Sequence, residues 1–237
     1  MDVHSISMNC NRTEFVGTAV LDTIGLVISG VDETLLKQMN VGTRYRTLGL
    51  FSSRTGAAGQ LTAIDDAVKA TNTEVLSIDF PRDTKGWGGH GNYVVIGGND
   101  VSDVRHAISL SLELTNKYAG ELYISESGHL EFAYSASAGP VLQKAFGAMP
   151  QEAFGFMAGS PAAIGLVMAD TAMKASAVKI ACYMTPSIGT SHSNEVILAL
   201  SGDASAVKEA VLEARQIGLE LLIAMGTYPE IPGTPYL

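Results

Sequence analysis

Two histidines, His90 and His192, stand 102 residues apart in polar stretches, one rich in glycine and the other in hydroxyl groups. Imidazoles placed there could tune charge near neutral pH or ligate a metal, although solvated loop histidines are the plainer reading. Neither stretch offers a cysteine or a second histidine at ligand spacing, so no metal is expected. The run Lys85-Gly86-Trp87-Gly88-Gly89-His90-Gly91-Asn92 has the glycine content of a phosphate cradle. It leads into an apolar strand pattern rather than a helix N-terminus, which makes the nucleotide reading weak. Trp87, the only tryptophan, sits among glycines that free the backbone to swing a large ring across an opening. The second stretch contributes Ser187, Thr190, Ser191, Ser193 and Asn194. Hydroxyl and amide groups of this kind can replace water around a small polyol or aldehyde without a charged barrier. A flexible hairpin loop and a solute-lining loop are both open readings of each stretch.

The rest of the chain supports no catalysis. It has no nucleophile elbow, Walker loop, HExxH or paired-carboxylate arrangement, so an enzyme and a bound cofactor are not expected. Cys10 and Cys182 cannot build a disulfide framework, and Cys182 falls in a strand pattern as core rather than as a reactive thiol. Apolar residues make up 46% of 237 and charged residues 16%, an imbalance that suggests surface covered in an assembly. The net charge of -9 argues against nucleic acid and anionic lipid as partners. The best apolar stretch, Leu219 to Met225, is short and interrupted by Glu220, and the N-terminus lacks a basic region followed by an apolar one. A cytoplasmic protein is expected.

The elements that must position these loops come from an internal repeat. DDAVKATNTEVLSIDFP, from Asp65, aligns with DTAMKASAVKIACYMTP, from Asp170, at an offset of 105. Asp65/Asp170, Ala67/Ala172, Lys69/Lys174, Ala70/Ala175 and Pro81/Pro186 are identical pairs. Gly49/Gly155 extends the match upstream, and Asp100/Asp203, Val104/Val207 and Ala107/Ala210 extend it downstream with a shorter second loop. Length changes confined to a loop are what two copies of one fold should show. The chain therefore divides into domains at 1–118 and 119–237, with tails at 1–13 and 227–237.

Each copy reads as a strand (Leu48 to Ser52; Phe154 to Ala158), then a helix facing inward through Leu61, Ile64 and Val68, or Leu166, Ala169 and Met173. A hairpin follows, Glu74 to Phe80 with Tyr93 to Ile96, or Lys179 to Met184 with Val196 to Leu200. Asp100 and Asp203 then read as N-caps of longer helices. Segments Glu14 to Met39 and Leu122 to Phe146 precede each copy and are expected to add the strand that completes its sheet. The fold class is α+β: two tandem ferredoxin-like domains, antiparallel sheets with helices on one face.

The motifs TLGLFS, DDAVKAT, TEVLSI and GGNDVSDVRHAI, repeated as GFMAG, DTAMKAS, VKIACY and LSGDASAVKEAV, resemble those of the bacterial microcompartment shell proteins. A strand moved to the front of each copy is similar to the permuted tandem class of that family. The resemblance implies a homotrimer whose six domains imitate a hexamer, edge-to-edge contact with neighbouring shell proteins, and encapsulated enzymes as further partners. It implies that the loops Arg82 to Asn92 and Ser187 to Asn194 line pores, and it favours propanediol or glycerol as the compartment's substrate. The first loop is longer than the single-domain pattern and carries Trp87, which argues against a permanently open round pore. Lys69 and Lys174 would lie at the tile edge, where a long apolar stem with three donors suits a flat contact. From residues alone a solvated lysine is an equal reading. A tandem ferredoxin-like regulatory module that binds a small effector is the alternative function.

Overall fold

The structure is a computed structural model, and it describes residues 13–82, 90–226 and 228–237. Lys85, Trp87 and Cys10 lie outside the described residues. The first half opens with a hairpin of β1 (Thr13–Ala19) and β2 (Thr23–Ser29), followed by α1 (Glu33–Met39). Then come β3 (Thr47–Ser53), α2 (Ala58–Lys69), β4 (Thr73–Asp79), β5 (Asn92–Gly98) and α3 (Val101–Tyr118). A single 3-10 turn, Ala119–Glu121, leads into the same order again. That order is β6 (Leu122–Ser125), β7 (Gly128–Ser135), α4 (Pro140–Phe146), β8 (Ala153–Ser160), α5 (Ala162–Ala175), β9 (Lys179–Met184), β10 (Val196–Gly202) and α6 (Ala204–Ala224).

Both sheets are antiparallel and have five strands, in the orders β1-β2-β3-β5-β4 and β6-β7-β8-β10-β9. The long helix pairs, α2 with α3 and α5 with α6, each cover one face of a sheet. Short α1 packs on the opposite face of the first sheet through Leu36, against Leu48 and Val95. The segment in front of each copy is thus a hairpin of two strands where one was expected. Leu21 and Asp22 make the first of these turns at positive φ, 63° and 54°. The Asn-Gly dipeptide that normally announces such a turn is absent, so the sequence hides it.

Asp203 caps α6 by accepting from the N–H groups of Ser205 and Ala206. Asp100 occupies the N-cap position of α3, yet its side chain makes no capping hydrogen bond. Val104, Ile108 and Leu112 form the buried face of α3, while Val101 at its start is exposed.

The two domains share one core. Phe51, Leu61, Ile64 and Ile108 belong to the same apolar cluster as Val141, Leu142, Phe146, Phe154 and Phe156 from the second half. Two helices that lack a cap of their own fix the contact. Ala57 and Gly139 hold the N-cap positions of α2 and α4, and neither makes a side-chain cap. Glu131 on β7 accepts from the N–H groups of Ala57, Ala58 and Gly59 at 3.0, 2.7 and 3.5 Å. Asp65 on α2 accepts from Gly139, Val141 and Leu142 at 2.8, 3.0 and 3.3 Å. Each domain therefore satisfies the orphan donors of a helix in the other. A Cβ on Gly139 would stand 2.6 Å from the Asp65 carboxylate, so this approach requires glycine.

The second copy of the helix departs from expectation. Leu61, Ile64 and Val68 are buried on α2, but on α5 only Ala169 is buried while Leu166 and Met173 are 54% and 38% exposed. Its own domain is met instead by Ile164, Met168 and Ala172. The difference is tertiary: α2 is covered by its own sheet and by the second domain, whereas among the described residues no element makes a comparable contact with the outer face of α5.

Candidate functional site

The described ends of the first hairpin loop, Arg82 and His90, meet the second where the domains join. Arg82, at the start of the first loop, donates from its guanidinium to the carbonyl of Ser191 in the second at 2.8 Å. His90 closes the first loop. It was expected in solvent and is buried, with Nδ1 2.9 Å from Glu195 Oε1. Glu195 directly precedes β10, and its other oxygen lies 3.3 Å from His129 Nε2 on β7. One carboxylate of the second domain thus sits between an imidazole from each domain. Burial pushes the Glu195 carboxyl up, but hydrogen bonds and charge from His129 and His90 outweigh this and hold it at about 2.

Below this cluster lies a cavity of about 70 Å³ lined by Ala57, Phe80, Phe146, Phe156, Ala158, Met184, Gly189 and Ile197, with His90, Glu131 and Glu195 as its polar groups. Space of that order admits several waters or one small solute. Burial pushes the Glu131 carboxyl up, opposed by the N–H donors of Ala57 and Ala58. A mostly aromatic and aliphatic wall with a few convergent polar groups suits a small molecule that is part apolar and part hydroxyl.

The residues read from the sequence as loop lining divide into two sets. Ser187, Ser191, His192 and Asn194 are exposed. Thr190, Ser193 and Asn92 are buried and shape the loops from within. Thr190 Oγ1 donates to the Thr185 carbonyl at 2.9 Å, and Asn92 donates to Ser53 Oγ at 2.7 Å. Asn194 accepts from the Ala162 N–H and so ends its loop on the first turn of α5. Cys182 lies on β9, half-buried against the shared core, where burial pushes its thiol up and away from the reactive thiolate.

Glu131, Glu195, His129 and the capping role of Asp65 were not read from the sequence. Their partners lie 66 to 77 residues away, except that His90 and Glu195 are 105 apart. The available signal was negative: two helices begin at Ala57 and Gly139 with no capping side chain, which demands an acceptor from elsewhere.

Lys69 and Lys174 end equivalent helices in unequal surroundings. Lys69 Nζ lies 3.1 Å from Asp65 and 2.8 Å from Asp66, and donates to the Ser137 carbonyl at 3.0 Å. Lys174 pairs only with Asp170 among the contacts described. Their side chains are 33% and 75% exposed. No helix among the described residues is long and apolar enough to cross a membrane.

Two copies of one permuted α+β unit, joined through a shared core with their hairpin loops at the junction, define a tandem shell-type fold. The sequence profile of the BMC domain matches residues 47–127 and 153–230, and the chain belongs to the BMC domain family. It is a two-domain bacterial microcompartment shell protein of trimeric type. The bacterial microcompartment shell protein PduB of Citrobacter freundii is 49% identical over 97% of this chain and 85% of its own length. PduB of Limosilactobacillus reuteri is 44% identical over 91% of each. The crystal structure of a trimeric PduB superposes with a TM-score of 0.91 at 43% identity, covering 94% of this chain and 99% of that one. EtuB from Clostridium kluyveri gives 0.92 at 45% identity, covering 94% and 98%. EutL from Clostridium perfringens shares the fold, at a TM-score of 0.70 and 20% identity.

Proposed function

We propose that three copies of this protein, with domains at 1–118 and 119–237, close into a flat ring that tiles a microcompartment wall and passes small uncharged polyols. The observation that carries the reading is the unequal burial of α2 and α5. Within one chain, β7 and α4 of the second domain cover α2. The equivalent cover for α5 would be β2 and α1 of the next copy, which expose Ile24 and Leu35. Opposite them α5 and β9 expose Leu166, Val167, Met173, Ile180 and Tyr183. Repeating the internal contact between copies is head-to-tail, and such a contact closes into a ring when its rotation permits.

The tile is a wall rather than a catalyst: the buried acids of the junction are spent on helix N-termini and imidazoles. Neighbouring shell proteins meet its edges near Lys69 and Lys174. The cavity between the domains, which His90 of the first loop and Gly189 of the second line, is where propanediol, glycerol or a derived aldehyde would dwell on its way to encapsulated enzymes. Sedimentation equilibrium tests the closure. A mass of about 75 kDa, reduced to a folded monomer by Leu166→Asp, is expected; a wild-type monomer at all concentrations refutes it.

A further inference from the structure

The C-terminal segment ends on a buried carboxylate. Glu121, in the turn between the domains, is fully buried and accepts from the N–H groups of Tyr236 and Leu237 at 2.7 and 2.9 Å. The Arg215 guanidinium donates to its second oxygen at 3.0 Å, and the Tyr123 hydroxyl at 3.2 Å. Upstream, Glu230 pairs with Ile124 through two backbone hydrogen bonds at the edge of β6. The Thr234 carbonyl lies 2.0 Å from where a Cβ on Gly120 would stand, so the docking depends on that glycine. The segment is thereby docked at the domain junction through Glu230, Thr234, Tyr236 and Leu237.

From the docked end a line of contacts runs to the helix lysine of the first domain. The Tyr236 ring meets Tyr118 edge-on, with centroids 5.1 Å apart. The Tyr118 hydroxyl donates to Asp66 Oδ2 at 2.6 Å, and Asp66 Oδ1 lies 2.8 Å from Lys69 Nζ. Among the described residues the second domain has no such line, because Thr171 stands where Asp66 stands in the first.

We propose that the docked C-terminal segment, Tyr118 and Asp66 are positioning elements for Lys69, so that each trimer offers alternating edges with a braced lysine and one paired only with Asp170 of its own helix. The proposal rests on the reading of these lysines as tile-edge residues. A braced side chain has already lost its rotamer freedom, so a lateral contact made through it costs less entropy than one made through Lys174. Burial alone would push the Lys69 ammonium down, and the carboxylates of Asp66 and Asp65 more than reverse this. Lys69 is therefore a fixed charge whose three N–H donors already meet Asp65, Asp66 and Ser137, suited to a partner that packs along its stem in one geometry. Lys174 can adapt to several.

The test uses the full-length trimer with 13C-labelled lysine, read by NMR titration and by the protein concentration at which sheets pellet. In Tyr118→Phe, in Asp66→Asn and after removal of residues 228–237, the Lys69 signal should titrate at lower pH. Lys174 should stay unchanged, the trimer intact, and sheet formation should need several-fold more protein. Lys69 signals unchanged in both point variants would overturn the brace. If Lys69→Ala leaves sheet formation unaltered, the edge reading fails instead, and the NMR arm alone then decides whether the brace exists.

Discussion

The N–H of Ala58 donates to Glu131 Oε1 at 2.7 Å, so a helix of the first domain begins on a carboxylate of the second. Asp65 returns the arrangement by holding the first turn of α4. A capping acid usually belongs to its own helix; here each cap also fixes the position of one domain on the other. The cavity and the loop seam sit at this junction, so their shape depends on these two acids.

Glu131→Ala leaves the N–H groups of Ala57, Ala58 and Gly59 buried without that acceptor. The loss should be about 2 kcal/mol, read as a lower melting temperature at fixed protein concentration. Asp65→Ala should behave alike, and both should act more strongly than removal of exposed Glu33. Wild-type melting in both variants would mean that the two caps do not hold the domains together.

Glu195 makes stability depend on acid. Its carboxyl is held at about 2 in the fold against an ordinary 4.5. The stabilisation is therefore complete above about pH 4.5 and is lost as pH falls towards 2. Glu195→Gln should flatten this part of the profile, by up to about 3 kcal/mol. Glu131, whose carboxyl burial pushes up, contributes with the opposite sign and should be measured separately. An unchanged acid limb in Glu195→Gln would show that the His90 and His129 contacts do not hold in solution.

Crystals soaked in glycerol or propanediol should show ordered polyol in the interdomain cavity, within hydrogen-bonding reach of Glu195 or His90. Weak binding is expected, near millimolar and about -4 kcal/mol, because a passing solute must leave. Polyol found only on the outer surface, with Trp87→Ala leaving flux through reconstituted shells unchanged, would make the loops structural closures.

Much of the fold was legible because it is local. The periodicity of α2, α3 and α6 and the cap at Asp203 are each visible within one stretch of chain, and the repeat in the comparison of two such stretches. The hairpin at Leu21-Asp22 was hidden because Leu21 does not signal positive φ and Asp22 alone signals it weakly. The face of α5 was misread because Leu166 and Met173 repeat the spacing of Leu61 and Val68, while burial is set by what lies outside the helix. The site was legible only as two polar loops. Glu195, His129 and Glu131 act across long separations, and a single acid at a strand end carries no spacing that would reveal this. The inequality of Lys69 and Lys174 was present in the sequence as Asp66 against Thr171, but its meaning needed Tyr118 and the docked C-terminus.

Lys69→Ala and Lys174→Ala should each leave a folded trimer and impair lateral assembly, with Lys69→Ala the more damaging because its geometry is fixed. Normal sheets from the double variant would make both lysines ordinary surface residues.

Negative-stain electron microscopy of the concentrated wild-type protein tests the central claim most directly. Flat layers or tubes with a hexagonal lattice of trimers are predicted. Discrete particles at every concentration and ionic strength would contradict the tile and favour a small effector-binding module.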